Sequence, residues 1–114
     1  MKLLTKELIR KLPKLYAQDE KGMDAIAYIK FFYVFSNWTW YATEGQPFKN
    51  DNGEDDFDFF GLVCGFEEEL GYFILSELKS VTWHGLGIER DLHFKPTPLR
   101  KLMVAYELPE SKAA

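Results

Sequence analysis

Two histidines and three charged residues lie between positions 84 and 93, and side chains of these types perform general acid–base catalysis. The cluster consists of His84, Glu89, Arg90, Asp91 and His93. A histidine beside a carboxylate can take up and release a proton near neutral pH. The segment has no helix signature, nucleophile elbow or zinc-type histidine pair, and catalysis requires groups that converge on one point. We therefore predict a protein that is not an enzyme. An active site built from His84, Glu89 and His93 is the third of the interpretations that the sequence leaves open.

The acidic segment at residues 51–56 has the composition of a cation-binding loop. Calcium loops of the EF-hand type need oxygen ligands at set offsets around a glycine in the sixth position. If Gly53 occupied that position, Phe48 would be first and Phe59 twelfth, and neither side chain can bind a cation. We therefore predict no metal site and no cofactor, although the dense carboxylates leave weak cation binding open. Asn52-Gly53 is instead typical of a turn between two strands.

Aromatic side chains dominate the segment at residues 31–41 and form the third feature that could do chemistry. Proteins that bind single-stranded nucleic acid stack bases on aromatic rings of a sheet, and Trp38, Trp40 and Tyr41 are candidates for that role. Such proteins place basic residues beside the rings, and Lys30 with the basic N-terminus would have to supply them. Core packing is the competing interpretation for the tryptophans, since residues at i and i+2 share one sheet face. The spacing does not decide whether the tryptophans are buried.

An antiparallel sheet must position these residues, because aromatic and β-branched side chains pack well on a pleated surface. We predict four strands, at residues 26–35, 38–44, 57–66 and 72–75. The connections are a tight turn at Ser36-Asn37, a polar loop at 45–56 and a turn at 67–71. Within the third predicted strand, Gly61 and Gly65 indicate a large neighbouring side chain that needs room, and a tryptophan of the hairpin is the candidate.

Short helices are expected to flank this sheet. Thr5 is a suitable N-cap for a helix over residues 6–12, which Pro13 would end. Ser76 is expected to cap a further helical turn. That turn, a short edge strand and a final short helix are predicted at residues 77–80, 92–94 and 99–102. The predicted fold class is α+β, with a four-stranded, mainly antiparallel sheet and short flanking helices.

Length and composition favour one domain over residues 1–114, of which 109–114 are expected to fray. Ten Phe, six Tyr and three Trp supply ample core material. Cys64 is the only cysteine, which excludes a disulfide framework, and its apolar neighbours predict a buried packing role. No secretory leader or membrane-spanning stretch is recognisable, so we expect a cytoplasmic protein that does not bind membranes.

Charge is distributed unevenly along a chain whose net charge is −4. Residues 1–16 carry five basic residues and one acidic residue, Glu7, whereas residues 51–69 carry eight acidic residues and no basic one. This asymmetry predicts an acidic face that could meet a basic partner. The candidate partner-binding residues are Asp51, Glu54, Asp55, Asp56, Glu67 and Glu68.

A series of motifs covers nearly the whole chain. They are Leu3-Leu4-Thr5-Lys6, Leu12-Pro13, NWTWYATE at 37–44, FFGLV at 59–63, ELGYF at 69–73, LSEL at 75–78 and IERDL at 88–92. In this order they resemble the bacterial domain-of-unknown-function family 2958. The polar segment at residues 45–56 is longer here than in that family.

The family resemblance implies no assigned activity and no catalytic residues. It implies an accessory gene of a plasmid, integrative element or phage, near antirestriction and DNA-processing genes. We therefore favour a small non-enzymatic binding protein that acts on a host defence or DNA-processing protein through its acidic face. The alternative is a single-stranded nucleic-acid-binding module that uses the aromatic residues Trp38, Trp40 and Tyr41. The sequence leaves the partner's identity and the oligomeric state open.

Overall fold

The computed structural model describes residues 2–103 and shows an α+β fold with two antiparallel sheets. The strands are β1 (Ile26–Ala27), β2 (Ile29–Tyr33), β3 (Thr39–Lys49), β4 (Asp55–Cys64), β5 (Glu68–Ile74), β6 (Thr82–Trp83), β7 (Leu86–Arg90) and β8 (Thr97–Pro98). Six of them form the larger sheet in the order β5-β4-β3-β2-β7-β6, and β1 pairs with β8. The helices are α1 (Lys6–Lys11), α2 (Leu75–Ser80) and two 3₁₀ helices at Asp19–Asp24 and Leu99–Lys101. Residues 109–114, which were expected to fray, lie outside the described part of the chain.

The predicted polar loop at 45–56 is wrong, because most of it is strand. Residues 45–49 stay paired with residues 55–59, which leaves a turn at 50–54. Ladder hydrogen bonds between the two strands satisfy backbone groups of these residues, and this pairing outweighs the polar composition of the segment. Asn52-Gly53 does lie in the turn, where Gly53 has a φ of +78°.

The prediction of four strands is also wrong, because the larger sheet has six strands and includes a hairpin of β6 and β7 that was not predicted. β6 and β7 pair around His84 and Gly85, whose φ angles are +53° and +78°. Gly85 readily adopts the positive φ of this tight turn. Pairing of β7 with β2 stabilises the hairpin. The edge strand predicted at 92–94 is not formed. The predicted first strand divides at Tyr28 into β1 and β2, which belong to different sheets.

The predicted N-cap at Thr5 is confirmed, whereas the other helix starts differ from expectation. The Leu8 amide donates to Thr5 Oγ1 at 3.2 Å, as an N-capped helix requires. Ser76 is not the cap of α2, because that helix begins at Leu75 and places Ser76 inside its first turn. In place of the predicted final helix at 99–102, a 3₁₀ turn forms at Leu99–Lys101. Thr97 and Pro98, directly before it, are extended and pair with β1.

Apolar clusters pack on the two opposite faces of the larger sheet. We call the face covered by α1 and α2 the first face, and its centre is formed by Phe31, Phe59 and Phe73. The rings of Phe59 and Phe73 stack with centroids 5.2 Å apart. The second face carries Leu62, which packs with Leu99 and with residues of the smaller sheet. The chain therefore encloses both faces over part of the sheet.

A buried carboxylate ties the connector between α1 and β1 to the sheet. The pairing of β3 and β4 shifts between Ala42 and Glu44, which makes Thr43 the extra residue of a β-bulge. Glu44 is 2% exposed. Its Oε1 accepts from the Tyr16 amide at 2.7 Å, and its Oε2 accepts from the Gln18 amide at 2.8 Å. The bulge thus turns an acidic side chain inward, where two backbone donors hold it.

Candidate functional site

Three hairpin turns lie at the same end of the larger sheet, and we call it the turn end. The antiparallel order of the strands places the β2–β3, β4–β5 and β6–β7 connections there. The β3–β4 turn at residues 50–54 lies at the opposite end, across the length of β4. Ten residues of strand span about 33 Å at about 3.3 Å per residue. Any surface formed by the three turns is therefore well separated from the acidic β3–β4 turn.

Large rings cluster at the turn end. Trp38 contacts Trp40 with centroids 5.9 Å apart and Phe66 with centroids 5.7 Å apart. On the other side of the sheet's centre, the ring centroids of Phe35 and Trp83 are 4.9 Å apart. Phe66 is 96% exposed, Trp83 56% and Phe35 45%. The ring of Tyr33 also contacts that of Phe35. We call these six side chains the turn-end aromatic surface: Tyr33, Phe35, Trp38, Trp40, Phe66 and Trp83.

Gly65 allows Trp38 to take its place in this surface. A Cβ at Gly65 would lie 2.6 Å from Cζ2 and Cζ3 of the Trp38 ring, which is closer than real Cβ contacts. The expectation that a tryptophan of the hairpin requires a glycine is thus confirmed at this position. At Gly61 the neighbour is different, because the backbone carbonyl of Tyr41 fills the space.

The three aromatic residues considered for base stacking do not share a face. Trp40 pairs with Phe31 and Val63 and therefore points to the first face, as does Trp38 two residues before it. Tyr41 points to the second face, where its ring lies 5.7 Å from that of Phe94. All three predicted residues, Trp38, Trp40 and Tyr41, are half-buried. The two tryptophans are therefore brought together, and the tyrosine is not.

The six acidic candidates fall into two groups at opposite ends of β4. Glu67 and Glu68 lie at the turn end, beside Phe66. The other four lie at or next to the β3–β4 turn: Asp51, Glu54, Asp55 and Asp56. Their closeness in sequence predicts one acidic face, but the length of β4 separates the groups. Glu69 was not among the candidates but also lies at the turn end. It pairs with Val63, so its side chain is on the first face.

Two of the acidic candidates near the β3–β4 turn have partners within the chain. Asp55 forms an exposed ion pair with Lys49 at 2.6 Å. Asp56 accepts hydrogen bonds from the hydroxyl of Ser76 at 2.5 Å and from its amide at 3.1 Å, in the first turn of α2. Burial raises the pKa of Asp56, but the hydrogen bonds from Ser76 and from the Phe57 amide outweigh it and leave the pKa below its ordinary value. Asp56 therefore anchors α2 to β4, which the sequence did not predict.

Cys64 is half-buried near the turn end and has a weakly acidic thiol. Burial, and after it the negative charge of Glu68, raises the pKa of Cys64 to about 11. The Sγ atom lies 4.0 Å from Glu68 Oε2. The thiolate is the reactive form of cysteine, so Cys64 is expected to react slowly.

We expect the folded protein at pH 8 to react with iodoacetamide about two orders of magnitude more slowly than an ordinary cysteine, because little thiolate is present. Glu68→Gln should raise the rate by removing the neighbouring negative charge. Glu69→Gln is the matched control, since residue 69 points to the opposite face, and it should leave the rate unchanged. Mass spectrometry of the intact protein measures the labelling. A rate equal to that of the urea-unfolded chain would contradict this prediction.

The residues considered for acid–base catalysis do not converge on one point. Glu89 and His93 line a cavity of about 380 Å³ together with Lys30 and Asp91. His84 lies in the β6–β7 turn at the opposite end of β7, with its ring 3.9 Å from that of Trp83. Among residues 2–103, no group of three or more His, Cys, Asp or Glu side chains could hold a metal ion. The described residues likewise contain no helix long and apolar enough to cross a membrane.

The fold places this chain among α+β proteins built on a mostly antiparallel sheet with a few short helices. The family described as protein of unknown function (DUF2958) matches residues 3–107. The chain belongs to this family, which confirms the resemblance of its motifs. No curated protein and no solved structure matches the chain.

Proposed function

We propose that this protein is a small non-enzymatic binding protein whose turn-end aromatic surface binds a basic region of a protein partner. The observation that carries the proposal is the 96% exposure of Phe66 at the tip of a hairpin turn. Clusters of exposed rings are uncommon on proteins that act alone, and they mark interaction sites. Aromatic anchors also contribute most of the binding energy at many interfaces.

The charges beside these rings favour a basic partner. Glu67, Glu68 and Glu69 follow Phe66 directly, and no basic residue lies between positions 51 and 69. An aromatic centre with a charged rim is a common arrangement at protein interfaces. Complementary charge on the partner would speed the encounter and disfavour acidic competitors.

The charges beside the rings favour a protein partner over a single-stranded nucleic acid. Tyr41 and Lys30 pair across the second face, away from Trp38 and Trp40. A phosphate backbone beside Trp38 would instead approach Glu67 and Glu69, which line the same cavity as that ring. Stacking without a basic groove lacks the electrostatic term that dominates nucleic-acid affinity.

The family resemblance extends the proposal to a biological setting. We place the protein in the cytoplasm of a cell that carries a plasmid, integrative element or phage. Its partner there would be a host defence protein or a DNA-processing protein. Such proteins present basic surfaces to nucleic acid, which suits the acidic rim of the turn end.

The test compares Phe66→Asp with Leu92→Asp as a matched control. Leu92 is also an exposed apolar residue, but it lies beyond the opposite end of β7. Lysate proteins captured by the wild-type chain, with and without nuclease, are identified by mass spectrometry. The candidate partner is then purified and titrated against the three proteins. We expect Phe66→Asp to weaken the Kd by at least about 30-fold, the scale of an interface hot spot, and Leu92→Asp to leave it unchanged.

Three outcomes would overturn the proposal. One is an unchanged Kd for Phe66→Asp, which would move the interface away from the turn end. Another is capture that disappears with nuclease, together with tryptophan quenching by an oligonucleotide, which would favour the nucleic-acid-binding module. The third is a change in the oligomeric state of the pure protein on Phe66→Asp, which would make a second copy of the chain the occupant.

A further inference from the structure

One cavity at the turn end combines aromatic walls with carboxylates. It measures about 320 Å³ and is lined by Trp38, Val63, Gly65, Phe66, Glu67 and Glu69. The planes of the Trp38 and Phe66 rings meet at 82°, so they form two walls at nearly a right angle. The alternation of β5 and its pairing with β4 place Glu69 on the same face as Val63. The cavity is therefore lined by two aromatic residues, Trp38 and Phe66, and by two acidic residues, Glu67 and Glu69.

The two carboxylates of this cavity have no basic partner within the described residues. The ion pairs formed among residues 2–103 involve Glu7, Asp91, Asp55 and Asp24, and none of them involves Glu67 or Glu69. The faces of aromatic rings are also regions of negative potential. Both kinds of group thus attract a cation and repel a phosphate or carboxylate.

We propose that this cavity binds an arginine side chain of the protein partner, an inference that rests on the proposed function. A guanidinium is planar, so it can stack on an aromatic ring, and its N–H groups can donate in pairs to a carboxylate. Lysine offers a compact, strongly hydrated charge that gains less from a flat aromatic wall. The combination of Trp38 with Glu67 and Glu69 therefore selects arginine over lysine.

The test titrates N-acetyl-arginine amide into the ¹⁵N-labelled full chain and follows the indole N–H signals of the three tryptophans by NMR. We expect the Trp38 signal to shift and saturate with a Kd on the order of millimolar, the range that a ligand of this size can reach. Trp83 lies at the other side of the aromatic surface, and its signal should not move. N-acetyl-alanine amide at the same ionic strength is the uncharged control, and N-acetyl-lysine amide should bind at least about threefold more weakly.

The carboxylates are tested with the double variant Glu67→Gln/Glu69→Gln, which should weaken arginine binding at least about tenfold. The double variant Asp51→Asn/Glu54→Gln removes the same charge at the far end of β4 and should leave the Kd unchanged. An unshifted Trp38 signal, or equal affinity of the first variant and the wild type, would overturn the proposal. Equal affinity for the arginine and lysine amides would overturn the selection of arginine. None of these results depends on the protein partner, so a failure here leaves the effect of Phe66→Asp on partner binding as a separate result.

Discussion

Replacing Gly61 by alanine should lower the free energy of unfolding by about 3 kcal/mol or more, a large share of the stability of a domain this size. A Cβ at this position would overlap the Tyr41 carbonyl oxygen and lie 2.8 Å from the carbonyl carbon. The obstacle is the backbone of the neighbouring strand, which cannot rotate away as a side chain can. Relief would require β3 and β4 to separate next to the bulge, with loss of ladder hydrogen bonds.

Gly71 provides the matched control for this substitution. It pairs directly with Gly61 across β4 and β5, but a Cβ there would meet nothing within 4 Å. Gly71→Ala is expected to change stability by less than about 0.5 kcal/mol, since alanine restricts the unfolded chain at no steric cost. Urea unfolding followed by tryptophan fluorescence measures both variants. Similar midpoints for the two alanine variants would contradict the close backbone approach at Gly61.

Replacing Glu44 by alanine is expected to lower the free energy of unfolding by about 3–4 kcal/mol. The substitution removes both carboxylate oxygens and leaves the amides of Tyr16 and Gln18 without their acceptors. Hydrogen bonds to a charged acceptor are stronger than neutral ones, and a buried donor without a partner incurs a desolvation cost. Because Glu44 is 2% exposed, water cannot readily replace the lost carboxylate.

The position of Glu44 at a bulge suggests a graded comparison. Glu44→Gln keeps one oxygen acceptor but directs an NH₂ group at the other amide, so its stability should fall between the wild type and Glu44→Ala. Glu54→Ala, in the exposed β3–β4 turn, is the control and should change stability by less than about 0.5 kcal/mol. Chemical denaturation measures all three variants. Equal stability of Glu44→Ala and Glu54→Ala would show that the carboxylate does not hold the connector.

The candidate site was only partly predictable, because its residues come from segments that are distant in sequence. Glu67 and Glu68 were recognised as acidic candidates, and Trp38 and Trp40 as candidate aromatic residues. That these two sets meet was not predictable, because they lie in different segments and come together only through the register of β3 with β4 and of β4 with β5. Phe66 and Trp83 were missed as surface residues, because residue type alone does not distinguish an aromatic side chain exposed in a turn from one buried in the core.

Local chemistry in the sequence determined several features by itself. The Thr5 cap sets the start of α1, the aromatic segments favour strands, Asn52-Gly53 forms a turn, and Gly65 makes room for a tryptophan. Each depends on residues close in sequence or on the size of one side chain, so the pattern alone carries the information. The ordered motifs likewise sufficed to place the chain in its family.

Only the tertiary structure decided the strand count, the burial of Glu44, the anchoring of α2 by Asp56 and the separation of the acidic groups. Each of these depends on pairing between distant segments, in which backbone hydrogen bonds and a one-residue bulge set which side chains meet. Residues 45–49 belong to a strand because residues 55–59 of β4 pair with them. The turn-end aromatic surface arises for this reason too: antiparallel pairing brings three turns to one end of the sheet, where no element of the described chain covers Phe66.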